Sequence, residues 1–140
     1  MSVIRLAELR DGPVSADEVL SAVMDPAAGG IALFTGVVRD HDHERGVARL
    51  SYSAHPSAGA ELRRVAEKVA AGFDIRALAA VHRTGDLDIG EIAVVVAVSS
   101  VHRGEAFAAC RALIDELKAA VPIWKHQVFG DGGSEWVNSA

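Results

Sequence analysis

Glu91-Ile92-Ala93-Val94-Val95-Val96-Ala97-Val98-Ser99-Ser100 is the stretch that decides the architecture. From Ile92 to Val98 every side chain is apolar, so an extended chain there is apolar on both faces. Such a strand is covered on both sides and lies inside a sheet rather than at its edge. The run is far too short to cross a bilayer as a helix. Upstream, Ala77 to His82 reads as a second strand. Gly85-Asp86-Leu87-Asp88-Ile89-Gly90 between the two has the length and glycines of a β-turn or bulged hairpin. Downstream, Gly104 to Ala120 places Phe107, Cys110, Leu113, Ile114 and Leu117 on one helical stripe, and Pro122 marks the end of that helix.

Further out, Val3 to Leu9 reads as a short strand. Ser15, three residues before Glu18, is a capping-box signature for a helix through Met24 that Asp25-Pro26 stops. Gly30 to Val38 alternates and is rich in β-formers, and a polar loop from Asp40 to Gly46 leads to a further strand, Val47 to Ala54; the two are expected to pair as a hairpin with a long tip. Pro56 ends that strand. Ala60 to Ala71 carries Leu62, Val65, Ala66 and Val69 at helical spacing, with Arg63, Arg64, Glu67 and Lys68 on the other face. Ile123 to Phe129 and Glu135 to Val137 form a last hairpin around Asp131-Gly132-Gly133. Strands follow one another directly in this order, which predicts an α+β fold with a mainly antiparallel sheet and three helices, in a single domain over residues 1–140.

With 140 residues, half of them hydrophobic and 24% charged, the chain has the balance of a folded protein of one core. Its net charge of -5 argues against nonspecific binding to nucleic acid or to an anionic membrane, both of which need a basic surface. Met1 to Arg10 lacks a hydrophobic signal core, and the one cysteine, Cys110, allows no internal disulfide, so a cytoplasmic location is expected. Any cationic site must be a local arrangement.

The strongest local signal is Ser99-Ser100-Val101-His102-Arg103-Gly104, where a buried strand ends and a helix begins. Backbone N–H groups, the helix dipole and two basic side chains can converge there on an anion; the plainer alternative is a serine cap with a solvated arginine. Trp124-Lys125-His126 lies in a strand, so Trp124 and His126 share one face, with Trp124 expected in the core, and Lys125 takes the other. Lys125 is either an exposed strand lysine or, near arginines, a proton donor, acceptor or amine nucleophile. In Arg39-Asp40-His41-Asp42-His43-Glu44 the histidines have a spacing seen in some metal sites, but no third ligand is indicated, and no metal or cofactor is expected. Arg39, at the end of an apolar strand, is better placed for a substrate. His82-Arg83 reads as structural, and Cys110, on an apolar stripe without a positive neighbour, as a core residue.

Four motifs occur in order: Phe34-Thr35-Gly36-Val37-Val38-Arg39, Val81-His82-Arg83-Thr84-Gly85-Asp86-Leu87, Ser99-Ser100-Val101-His102-Arg103 and Pro122-Ile123-Trp124-Lys125. Together they resemble the large, catalytic subunit family of molybdopterin synthase, from about Gly30 to Val137. The resemblance implies an α/β-hammerhead fold and a homodimer with a small ubiquitin-like sulfur-carrier subunit at each end, a heterotetramer. It implies an enzyme, a sulfurtransferase of molybdenum cofactor biosynthesis. Such an enzyme converts cyclic pyranopterin monophosphate to molybdopterin with sulfur from the carrier's C-terminal thiocarboxylate. On this pattern Arg39, His102 and Arg103 match substrate-binding residues, and Lys125 matches the catalytic lysine beside the carrier tail. Arginine and histidine suit a phosphate by charge and geometry.

Where the family commonly has a second basic residue and a glutamate after the lysine, this chain has His126 and Gln127, so a second cationic contact would depend on histidine protonation. Where many relatives have glutamate and tyrosine at the end of the second strand it has Ser53 and His55, which leaves that contact unassigned. A binding module without turnover and a metal site at His41 and His43 are the competing readings.

Overall fold

The computed structural model describes residues 2–42 and 45–138. In chain order these form β1 (Ile4–Arg10), α1 (Ala16–Ala22), β2 (Gly30–Val37), β3 (His41–Asp42), β4 (Arg45–Ala54), α2 (Ala58–Gly72), β5 (Ala77–Arg83), β6 (Gly85–Leu87), β7 (Ile92–Ser100), α3 (Arg103–Ala120), β8 (Ile123–Phe129) and β9 (Ser134–Asn138). The fold is α+β with three helices and mainly antiparallel pairing, as the strand order predicted. One sheet runs β1-β5-β7-β2, with only β1 and β5 parallel. The other runs β3-β4-β8-β9, with β6 on β4.

The doubly apolar strand is where its sequence put it. β7 lies inside the first sheet, and its alternate residues feed two cores. Val94, Val96 and Val98 face Leu62, Val65 and Val69 of α2 and Leu113, Ile114 and Leu117 of α3, whereas Val95 and Ala97 face Val19 and Val23 on the α1 side. Each of these larger apolar side chains, fully withdrawn from water, contributes on the order of 2 kcal/mol. Ser15 caps α1 by accepting from the Glu18 amide at 3.2 Å. The other half of the expected capping box is not made, because the Glu18 carboxylate instead bridges to Arg10.

The expected hairpin of the strands at 30–38 and 47–54 is not formed. β2 pairs with β7, and β4 pairs with β8 and β6 in the other sheet, so the chain changes sheets around Val38–Asp40. A strand apolar on both faces needs a partner on each edge; β5 takes one edge of β7 and β2 the other. The segment expected to be a loop contributes β3, which pairs with the start of β4. Likewise the turn at 85–90 contributes β6, which leaves β5 to pair with β4 before the chain returns to β7. Gly85 and Gly90 carry the positive φ values of 89° and 87° that this detour requires.

Candidate functional site

β8 decides which way Lys125 points. Ile123, Gln127 and Phe129 are buried on one face of this strand, and Lys125 lies on that face between the first two, half-buried and opposite Tyr52 of β4. Trp124, His126 and Val128 alternate to the other face. Trp124 is therefore half-buried rather than in the core. His126 is turned away from Lys125 and stacks on Trp136 with ring centroids 4.4 Å apart, so it gives Lys125's face no second cationic contact.

α3 runs from the end of β7 back along β2, and its last turn brings a further lysine to the same place. The Lys118 ammonium is pushed below its ordinary pKa first by burial, then by the charges of Lys125 and Arg39. The three cations therefore share one neighbourhood. Lys118 escaped the sequence reading, although it flanks the stripe of Ile114 and Leu117 in the last helical turn. Beneath them, burial pushes the Tyr52 phenol up to about 12 and the His82 imidazole down to about 4. His82 is thus neutral at physiological pH; its Nδ1–H donates to the Arg83 carbonyl at 2.6 Å and its ring meets Tyr52 edge-on at 4.8 Å. The floor of the site adds no positive charge.

Arg39 is 64% exposed and is tethered on one side: its Nη2 donates to Asp42 Oδ1 at 3.1 Å. Asp42 Oδ2 accepts from the Gln127 amide at 2.6 Å, and the same amide nitrogen donates to Glu135 at 2.8 Å. Arg83, read as structural, is buried and ties β6 to the turn before β7 by donating to Glu91 at 3.2 Å and to the Asp86 carbonyl at 3.3 Å.

His102 and Arg103 lie elsewhere. His102 is the N-cap residue of α3, makes no side-chain cap bond, and is exposed together with Arg103. Neither Ser99 nor Ser100 caps the helix; Ser100 donates its hydroxyl to the His102 carbonyl. The start of α3 presses on the start of β2: a Cβ at Gly30 would stand 3.4 Å from Arg103 Cα. Arg103 and Lys118 are at opposite ends of α3, about 22 Å apart along its axis. Within one chain the four residues read from sequence do not converge. Arg39 and Lys125 are together, joined by Lys118, and His102–Arg103 form a separate cationic helix end.

Two other sequence readings resolve differently. Cys110 is buried, and burial pushes its thiol up to about 11, so it is inert as a nucleophile. Phe107, expected on the buried stripe of α3, is 65% exposed; Ala106 and Ala109 take that side, and Phe107 joins Leu33, Phe34 and Ile114 around an apolar groove of ≈ 250 Å³ between β2 and α3. Among the described residues no three potential ligands are grouped to hold a metal, and His43 of the histidine pair lies outside them. No described helix is long and apolar enough to cross a membrane.

Known proteins carry the same pattern. The family model described as MoaE protein matches residues 9–120. The chain is 45% identical over 133 residues to the molybdopterin synthase catalytic subunit 1 of Mycobacterium tuberculosis, covering 92% of this chain and 88% of that one. Its structure is similar to the crystal structure of molybdopterin synthase from Staphylococcus aureus, with a TM-score of 0.87 and 32% identity over 93% of this chain and 95% of the other. It also shares its fold with a chain of the complex of subunits 1 and 2 of molybdopterin-converting factor from Helicobacter pylori, at a TM-score of 0.72 and 20% identity over 98% and 90% of the two chains.

Proposed function

The chain belongs to the MoaE protein family, and from that premise we propose how its cations divide the work of sulfur transfer. The protein has the enzymatic role of a molybdopterin synthase catalytic subunit in molybdenum cofactor biosynthesis. Its substrates are cyclic pyranopterin monophosphate and the C-terminal thiocarboxylate of a small ubiquitin-like sulfur-carrier subunit. Both are anions. Bringing them into contact costs Coulomb repulsion, and fixed cations in a partly dry site lower that cost most where negative charge builds up during transfer.

The observation that carries this reading is the grouping of Lys118 with Lys125 and Arg39, whose charges add to desolvation in lowering its pKa. An amine in that setting gives up its proton more easily than a free lysine and is suited to accept one from the reacting pterin. Lys125, on the inward face of β8, is the catalytic residue beside the carrier tail, where its charge stabilises the thiocarboxylate and the oxyanion formed from it. Arg39 holds the phosphate-bearing substrate. Cys110 takes no part, because the sulfur arrives on the partner. The single cysteine, which allows no internal disulfide, supports work in the cytoplasm, as one domain.

A homodimer completes the site. β2 is an edge strand among the described residues, and it exposes Ile31, Leu33, Phe34 and Val37 beside Phe107, an apolar edge of the kind that proteins cover. Pairing two copies about a two-fold axis with their β2 strands antiparallel sets the Gly30 end of one against the Val37 end of the other. From Gly30 to Val37 β2 spans about 24 Å, close to the separation of about 22 Å between the two cation groups along α3. His102 and Arg103 of one copy then reach the Arg39, Lys118 and Lys125 of the other.

The test is the reaction reconstituted with thiocarboxylated carrier and cyclic pyranopterin monophosphate, read by mass spectrometry of the product. Wild type should yield molybdopterin. Lys125→Ala and Lys118→Arg should fold normally and lose product formation by about 100-fold or more. Near-normal turnover by Lys125→Ala would remove that lysine from the catalytic role.

A further inference from the structure

Gln127 is 3% exposed and lies two residues beyond Lys125 on the same face of β8. Its amide nitrogen meets two carboxylates, Asp42 Oδ2 at 2.6 Å and Glu135 Oε1 at 2.8 Å. An ionised carboxylate only accepts, so the nitrogen and not the oxygen of the amide must face the pair, and both of its hydrogens are used. The other oxygen of Asp42 accepts from Arg39. A continuous chain of hydrogen bonds thus runs from Glu135 on β9 through Gln127 on β8 and Asp42 on β3 to a guanidinium in the anion site.

We propose that Gln127 is a positioning residue for the anion site, fixing Arg39 through Asp42; this rests on the reading of Arg39 as a residue that holds the phosphate-bearing substrate. Glutamine is the residue type that can do this. It offers two donors and no charge, so it satisfies two acceptors without adding a third negative group between them. Asp42 is held in one orientation and presents its Oδ1 to Arg39. Arg39 is otherwise exposed and long, and an untethered guanidinium must be ordered at the moment of binding. The tether places that cost in folding instead.

A glutamate at 127 reverses the arrangement. It removes both donors and sets three carboxylates together, which weakens the hold on Arg39 wherever all three are ionised. Protonation of one of them restores an O–H donor, and the mutual repulsion raises the pH at which that happens. The groups facing position 127 are Asp42, Glu135 and, beyond Asp42, Arg39, with Lys125 along the strand; Leu50, its register partner on β4, is apolar. His126 points to the opposite face, stacked on Trp136.

The experiment is steady-state synthesis with wild type, Gln127→Glu and Gln127→Leu, measuring kcat and KM for cyclic pyranopterin monophosphate between about pH 5.5 and pH 8. Gln127→Glu should raise KM about five-fold at the alkaline end, with kcat within about two-fold of wild type, and the ratio to wild type should shrink towards one at the acid end. Gln127→Leu, which loses the donors without gaining charge, should raise KM at every pH. If the glutamate variant fails to fold, the leucine variant alone decides. A ratio flat in pH for Gln127→Glu, or a wild-type KM for Gln127→Leu, would overturn the proposal. The Arg39 Nε–H resonance in ligand-free protein gives a second reading: sharp in wild type and broadened in both variants, or unchanged if the proposal is wrong. An inactive wild type with that broadening would count against the functional reading and leave the tether standing.

Discussion

Mixed dimers of two inactive variants test the arrangement of the site most directly. Take Lys125→Ala, which damages the group of Arg39, Lys118 and Lys125, and Arg103→Ala, which damages the helix end about 22 Å away along α3. If each site uses the lysine cluster of one copy and the helix end of the other, a mixed dimer has one site with both lesions and one with neither. A purified mixed dimer, selected with two different tags, should then form product at about half the wild-type rate, and a randomly assorted mixture at about one quarter, because half of its dimers are mixed. Each parent alone should be nearly inactive. If both groups served a site within one chain, every site would carry one lesion and mixing would restore nothing. Activity no greater than the mean of the two parents, in a preparation shown by mass to contain mixed dimers, would refute the cross-copy arrangement.

His82 makes the folded chain sensitive to acid. Its pKa falls from the ordinary 6.5 to about 4 on burial, so between those values the unfolded chain binds a proton that the native chain does not. Stability should be fully present above about pH 6.5 and should decline by roughly 3 kcal/mol on acidification to about pH 4, as read by urea unfolding; His82→Met should flatten that slope, and an unchanged slope would remove His82 as its source. Cys110, with its thiol pushed up to about 11, should resist alkylation in the native protein and react after unfolding. Cys110→Ala should keep its sulfur-transfer rate, and loss of product there would show a sulfur relay that the fold does not predict.

The elements with a strong period or a plain cap were legible in the sequence. β7 announced itself as interior because seven successive apolar residues leave no solvent face, and α2 and α3 because their apolar spacing matched a helix. What the sequence left hidden was pairing. Nothing local to 30–38 and 47–54 says that the strands leave each other for different sheets, since the demand comes from the bare edge of β7 more than fifty residues on. β3 and β6 were missed because elements of two and three residues are too short to carry a period, and their strand form is imposed by β4. In the site, Arg39 and Lys125 were read from motifs and are neighbours. Lys118 was missed because a lysine in a last helical turn is ordinarily a solvated surface charge, and only the packing of α3 against β2 brings it near Lys125 and Arg39. Phe107 was assigned to the core on spacing alone, yet it sits on the flank of the stripe that faces the open edge of β2.

The same physics joins the site's cost to its use. Arg39, Lys118 and Lys125 repel one another, and the shift on Lys118 is a direct sign of that repulsion added to burial. Between the pKa of Lys118 in the folded chain and its ordinary value, the unfolded state binds more protons, so stability rises with pH across that interval and is reduced below it. The fold therefore holds a charge arrangement that works against it below that interval, supported by the buried cores of β5 and β7 on either side. An anion bound among the cations removes the repulsion and must stabilise the folded state in proportion. It must also offset part of the lowering of the Lys118 pKa. Substrate binding and added thermal stability are thus one event, and a phosphate-bearing pterin that bound here without raising the unfolding temperature would contradict the assignment of the cluster.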